Sequence, residues 1–140
     1  MKTFTFDELL KKREHREADQ FRIGQIPVPD SGRSLEARMP DKREVLSLYG
    51  EFAGASGPLD ALEVGKHALY ACCPQLQDKT LQQTLGTEQD PMRTLDELFT
   101  VRELDAMGGD ALRFLHLLPE HGTTAGDGAD DEPPGEMVKN

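Results

Sequence analysis

Tryptophan is absent from this 140-residue chain, and its aromatic residues are six Phe and two Tyr. Cysteine occurs only as the adjacent pair Cys72-Cys73. Neighbouring residues cannot easily reach relaxed disulfide geometry, which excludes a disulfide framework and makes a reducing cytosol the natural compartment. No apolar run approaches the roughly 20 residues of a membrane span, so no membrane segment is expected. The opening, Met1-Lys2-Thr3-Phe4-Thr5-Phe6, has no apolar stretch of the signal-peptide kind, and secretion by that route is not expected.

Positive charge is also in short supply. Acids outnumber bases by 26 to 16, a net of -10, and hydrophobic residues make up 36% of the chain. Globular chains usually carry about 45–50%, glycine included. Position explains part of the deficit. Residues 119–140 hold Glu120, Asp127, Asp130, Asp131, Glu132 and Glu136 against Lys139 alone, a local net of -5. The remaining 20 acids and 15 bases give the body another -5. A net-negative chain repels phosphate backbones unless basic residues are concentrated somewhere. The one such stretch, Lys11-Lys12-Arg13-Glu14-His15-Arg16-Glu17, is interrupted by glutamates and reads as a solvated helix face. Nucleic acid is therefore not an expected partner.

What is present points to helices. Thr5-Phe6-Asp7-Glu8 has the form of a capping box, opening a helix with Phe6, Leu9 and Leu10 on one side that turns polar until about Asp19. A helix with so small an apolar patch is marginal alone, so it must dock on its own domain or on a neighbouring subunit. From Phe21 to Val28 apolar and polar residues alternate, with a change of phase that suits a bulge near Gly24. Pro29-Asp30-Ser31-Gly32 is turn chemistry, and Leu35, Ala37 and Met39 alternate again, which predicts a β-hairpin with Pro27 and Pro29 on an edge strand.

Beyond Asp41 the pattern is helical. Asp41 caps a helix with Val45, Leu46, Leu48, Tyr49 and Phe52, broken by Gly54–Pro58; the next carries Leu59, Leu62, Leu69, Tyr70 and Cys73 and stops at Pro74. A short helix over Lys79–Leu85 lies between Asp78 and Gly86. Asp90-Pro91 opens another with Met92, Leu95, Leu98 and Phe99. Thr100-Val101-Arg102-Glu103 is a second capping box, and Val101, Leu104, Gly108, Leu112 and Leu115 predict a final helix to about Leu118. The expected fold is thus mainly α (α+β). It comprises an N-terminal helix over 1–20, a hairpin over 21–40, a helical body over 41–118 making five to six helices in all, and a disordered acidic tail over 119–140.

Chemistry finds no foothold. His15, His67, His116 and His121 fall in different elements with no metal-ligand spacing. His67 lies five and six residues before Cys72 and Cys73, roughly 140° and 120° around a helix, so no thiolate–imidazole pair is expected and the cysteines read as small buried hydrophobes. Asp96-Glu97 and Asp130-Asp131 lack the pocket and the neighbouring base that acid–base catalysis requires. Glycines follow no phosphate-binding pattern, and Asp127-Gly128-Ala129-Asp130 is only a loose echo of a calcium loop. The chain is therefore read as no enzyme, with no cofactor and no metal, working through surfaces.

One stretch carries a resemblance. Leu69-Tyr70-Ala71-Cys72-Cys73-Pro74-Gln75-Leu76-Gln77-Asp78-Lys79-Thr80-Leu81-Gln82 resembles the central block of the XkdN-like phage tail assembly chaperones, where a helix ends in Cys-Pro before Leu-Gln-Asp and a short helix. Asp90-Pro91 through Leu98-Phe99-Thr100 to Glu103-Leu104 and Gly108 follows the family's order, as does Phe6-Asp7-Glu8-Leu9-Leu10-Lys11-Lys12-Arg13-Glu14 before a two-stranded segment. The likeness spans about residues 4–115. It implies a protein of the bacterial host's cytoplasm, absent from the mature virion, that binds and solubilises the tape-measure protein of a long-tailed phage or prophage while the tail tube assembles. Self-association and contact with the tail-tube protein belong to the same expectation. The alternatives are a structural tail component retained in the virion and a small helical interaction or DNA-binding module. Candidate partner-binding residues are Phe6, Leu9 and Leu10 on the first helix, and Tyr70, Pro74, Leu76, Leu98 and Phe99 in the body. Ordinary core is the competing role for both sets.

Overall fold

The computed structural model describes residues 2–119. In chain order these form helix α1 (Phe6–Asp19), strands β1 (Ile23–Val28) and β2 (Arg33–Arg38), and helices α2 (Lys42–Gly54) and α3 (Gly57–Cys72). A 3-10 turn (Pro74–Gln77) then leads to α4 (Lys79–Leu85), α5 (Arg93–Leu98) and α6 (Val101–Phe114). The fold is therefore mainly helical with an N-terminal hairpin, as the sequence pattern predicts. The expected disordered tail lies, from residue 120 on, outside the described residues.

Local polar chemistry sets where the helices begin. Thr5 and Glu8 form a reciprocal capping box on α1, and Thr100 and Glu103 form one on α6. The carboxylates of Asp41 and Asp78 accept the Glu44 and Leu81 amides at 2.9 Å each, starting α2 and α4. Pro58 stands in the first turn of α3, where its missing N–H costs nothing. Gly86, at φ 71°, ends α4 in the left-handed conformation.

The hairpin differs from expectation at one point. Its pairing runs unbroken from Ile23↔Arg38 to Val28↔Arg33, with no bulge at Gly24. The change of phase has another cause: Gly24 is on the core face with Ile26 and Val28, and the Phe114 ring rests on it. A Cβ there would approach Phe114 Cε1 to 2.8 Å. An aromatic ring from the far end of the chain fills the place a local side chain would take. At the edges of the ribbon, the Glu36 amide donates outward to Gln75 Oε1 at 2.9 Å. Alternation of the ladder then turns the nitrogen of Pro27, two places from Glu36's partner Gln25, away from β2 as well.

The core is one cluster in which Ile26 and Ala37 of the hairpin join Leu48, Leu69, Leu76, Leu95, Leu104 and Met107. Its centre is the crossing of α3 and α6. There Gly65 faces Gly108 so closely that a Cβ on Gly108 would lie 2.9 Å from the Gly65 Cα. Two buried polar clips complete it. Thr87 and Thr94 share a 2.7 Å hydrogen bond, and the Gln82 amide donates to the Leu76 carbonyl at 3.2 Å and the Tyr70 hydroxyl at 3.0 Å.

Two helix boundaries depart from the pattern. α6 stops at Phe114 rather than near Leu118, because His116 adopts φ 64° and the Leu117 amide turns back to the Leu112 carbonyl at 2.9 Å. Leu115 is buried all the same, just past the helix. α5 begins at Arg93, since residues 87–92 form turns in which the Asp90 amide bonds the Thr87 carbonyl.

Candidate partner-binding surface

Helix α1 buries none of its residues. Phe6 is 75% exposed, and Phe4, Leu9 and Leu10 are also open. Phe6, Leu9 and Leu10 share one side of the helix by their i, i+3, i+4 spacing. Phe21 and Ile23, at the joint between α1 and β1, extend the exposed apolar surface; Phe21, Ile23 and Phe4 were not among the expected contact residues. Alternation along the first strand held the signal for Ile23, which the unbroken register puts on the face opposite Ile26; Phe21 lies in the turn just before the strand.

Two side chains tie the end of this arm to the body: His116 Nε2 lies 3.4 Å from Asp19 Oδ1, and Arg22 does more. The Arg22 guanidinium lies over the Phe114 ring, 4.2 Å from its centroid, and donates to the Phe114 carbonyl at the end of α6. Its Nε lies 3.0 Å from Asp19 Oδ1 as an ion pair, off the line a hydrogen bond would need. Arg22 thus closes the α6 terminus, holds the end of α1 and covers the ring that sits on Gly24.

The second expected set divides. Leu76 is a core residue, 1% exposed, and is corrected from surface to interior: the 3-10 turn after Pro74 rotates it inward. Tyr70 and Phe99 are half-buried against the core. Pro74 and Leu98 face outward. Beside Leu98, Val101 is 68% exposed, so it lies off the α6 core stripe on which its spacing had placed it. Buried α6 residues are instead Leu104, Met107, Gly108, Ala111 and Leu112. Leu46 and Tyr49 of α2 are exposed as well. They lie about 100° and 40° around the helix from Val45, away from buried Leu48, so the apolar arc is wider than the core can cover.

Electrostatics follow the same division. An open cleft of about 540 Å³ separates α1 from the chain just after α6, lined by Leu9, Lys12, Arg13, His15, Arg16, Asp19 and His116. On the body, Lys66 pairs with Asp96 at 3.0 Å and Glu63 at 3.4 Å. Burial pulls its pKa down, but the Asp96 hydrogen bond and charge, with Glu63 adding to both, raise it overall. His67 Nδ1 meets Glu51 Oε1 at 2.5 Å, joining α3 to α2 and leaving the imidazole away from the thiols. Cys72 and Cys73 are free and buried. Burial pushes both thiols up to about 12, and for Cys72 the neighbouring thiol adds to the rise while Arg22 opposes it. Neither is a nucleophile near neutral pH. Among the described residues no group of three or more His, Cys, Asp and Glu is placed to hold a metal ion, and no helix is long and apolar enough to cross a membrane. Comparison with protein-family models, with curated proteins and with solved structures finds no match to this chain.

Proposed function

We propose that this chain is a binding protein that covers apolar helices of a partner, and specifically a tail assembly chaperone whose client is the tape-measure protein of a long-tailed phage or prophage. The observation that carries the reading is α1: a 14-residue helix with no buried residue and with Phe6, Leu9 and Leu10, together with Phe4 just before its cap, open to solvent. Such a patch is characteristic of an interaction surface, and a short amphipathic helix gains most of its stability from what it packs against. A helix-in-groove contact, with anchors at i, i+3 and i+4, is the mode it fits. The order of sequence blocks over residues 4–115 makes the tape-measure protein the client. The same arm can serve neighbouring copies of the chaperone, so self-association belongs to the proposal, as do the host cytoplasm as the site of action and absence from the finished virion.

Co-expression with the tape-measure protein of the same gene cluster tests it. The expected result is co-purification and a larger soluble fraction of the client. Phe6→Ser/Leu9→Ser/Leu10→Ser should abolish both while leaving the circular dichroism of the body unchanged. No gain in client solubility with the wild-type chain refutes the reading. Abundant protein in purified virions by mass spectrometry would favour a structural component instead.

A further inference from the structure

Three open hollows of the molecule adjoin one another. The first is the cleft between α1 and the end of α6, where Lys12, Arg13 and Arg16 stand beside Leu9. Arg16 and Asp19 also line the second, a hollow of about 410 Å³ floored by Phe21, Met39, Pro40 and Val45. Asp41 and Lys42 are shared in turn with the third, of about 530 Å³, which Arg43 and Leu46 complete. Together they make one groove. The part along α1 from Leu9 to Gln20 alone covers about 16 Å at 1.5 Å per residue, which is about three helical turns.

Its charge is unlike that of the molecule. Lys12, Arg13, Arg16, Lys42 and Arg43 line it, five of the fifteen bases in residues 1–118, against two of the twenty acids there. Both acids are engaged: Asp19 pairs with Arg22 at 3.0 Å and His116 at 3.4 Å, and Asp41 accepts the Glu44 amide. Arg13 meets Glu17 at 3.5 Å, whereas Lys12, Arg16, Lys42 and Arg43 have no ion-pair partner among the described residues. The floor is apolar. Phe21 is 79% and Leu46 68% exposed, and Met39 and Val45 are half-buried against the core. Positive charge bordering open apolar side chains, in a chain of net -10, complements a segment that is apolar on one side and acidic on its flanks. A nucleic acid would satisfy the cations but leave the apolar floor uncovered, and the net charge repels it.

We infer that this groove docks an amphipathic, acid-flanked helix of a partner protein, its apolar side on Phe21, Met39, Val45 and Leu46 and its carboxylates on Lys12, Arg16, Lys42 and Arg43. The inference rests on the reading of the chain as a binding protein and adds the chemistry of the partner; the client's identity plays no part in it. The apolar floor supplies contact area, and the bordering cations select which apolar helices are accepted. Helices flanked by lysine and arginine are turned away by like charge.

The test titrates the full chain into rhodamine-labelled peptides of about four helical turns and follows their anisotropy. All carry the same leucines. One has them at i, i+3, i+4 and i+7 with glutamate on the flanks, one has lysine in place of glutamate, and one is the acidic peptide scrambled to lose its apolar side. The acidic amphipathic peptide should bind about tenfold more tightly than the lysine form, the sum expected of four exposed ion pairs, and also more tightly than the scrambled one. That preference should vanish at about 1 M salt, where the screening length falls to about 3 Å, and in Lys12→Gln/Arg16→Gln/Lys42→Gln/Arg43→Gln, which keeps good helix formers. Phe21→Ser/Leu46→Ser, at open positions, should weaken the amphipathic peptide and leave the scrambled one unchanged. Amide shifts on the 15N-labelled chain should follow Arg16, Phe21, Met39 and Val45. Equal binding of the three peptides, a preference that survives the charge variant, or shifts confined to Phe6, Leu9 and Leu10 overturns the inference. So does a DNA duplex that outcompetes the acidic peptide, or a chain that sheds the peptide as it dimerises, the occupant then being a second copy. Co-purification of the tape-measure protein with no preference among the peptides overturns this inference alone.

Discussion

Gly108 and Gly109 are neighbours in one helix, yet alanine at the two positions should move stability in opposite directions. Alanine in a helix interior is favoured over glycine by about 1 kcal/mol, chiefly through the entropy glycine loses on folding. At Gly109 that gain stands nearly alone. The new methyl would meet the Arg113 guanidinium, whose Nη1 lies 3.3 Å away at the end of a flexible side chain. At Gly108 it would meet the Cα and carbonyl carbon of Gly65, each at 2.9 Å, and backbone cannot rotate aside. Excess volume in a closed interface costs about 1–3 kcal/mol, and a backbone obstacle puts this site in the upper half of that range. Gly109→Ala should therefore stabilise by about 0.5–1 kcal/mol and Gly108→Ala destabilise by about 1–2 kcal/mol. Their melting temperatures, followed at 222 nm, should differ by about 6–12 °C for a body of this size. Gly65→Ala, whose Cβ would lie 3.2 Å from the Gly108 Cα, should fall between them. If Gly108→Ala melts as high as Gly109→Ala, α3 and α6 do not cross at the glycine pair and the account of the core centre is wrong.

Thr100→Ala removes the cap of a helix built into the core and should cost about 1 kcal/mol of global stability in urea melts, whereas Thr5→Ala should reduce helicity and leave the midpoint unmoved, because α1 buries nothing. Arg22→Gln loses the contact with the Phe114 ring and the ion pair with Asp19, and should destabilise by about 1–2 kcal/mol with faster amide exchange at the end of α6; unchanged exchange there would remove Arg22 from its role as clasp. Both thiols ionise at about 12 in the folded chain against an ordinary value of 9.0, so the folded state keeps its protons longer. Their contribution is complete below about pH 9 and is lost as pH rises toward about 12, which a pH series of denaturation midpoints will register as a decline over that window. For the same reason a maleimide should leave the native chain unmodified at pH 7.5 and label two sites once it is unfolded.

Helix starts are legible in the sequence because a cap is local: Thr5 with Glu8, Asp41, Asp78, and Thr100 with Glu103 each satisfy amides within their own first turn. What escapes is whatever a distant residue decides. Gly24 looks like a bulge until Phe114, 90 positions on, is placed over it. Leu115 keeps the helical spacing of α6 but reaches the core from beyond the helix, since His116 turns the backbone left-handed. Val101 keeps the spacing too, yet at the first position of the helix it stands open to solvent. The candidate surface is legible in part for a related reason. Phe6, Leu9 and Leu10 are exposed because, among the described residues, nothing covers that side of α1, and their sparse patch foretells that dependence on a partner. Leu76 belongs to the interior because a proline-initiated turn, shaped by Gln82, swings it inward. Arg22 carried no sequence signal at all, since its partners are a ring and a carbonyl from the other end of the chain.

The two-stranded ribbon has a consequence for how this chain can assemble. Along the free side of β2, the outward Glu36 amide is already taken by a glutamine side chain. Along the free side of β1, proline removes one of the outward donors. An incoming strand would find an occupied donor on one border and a gap on the other, so strand addition, the common route from small sheets to fibrous aggregates, is discouraged from both directions. Growth into larger particles, when it happens, falls to the helices.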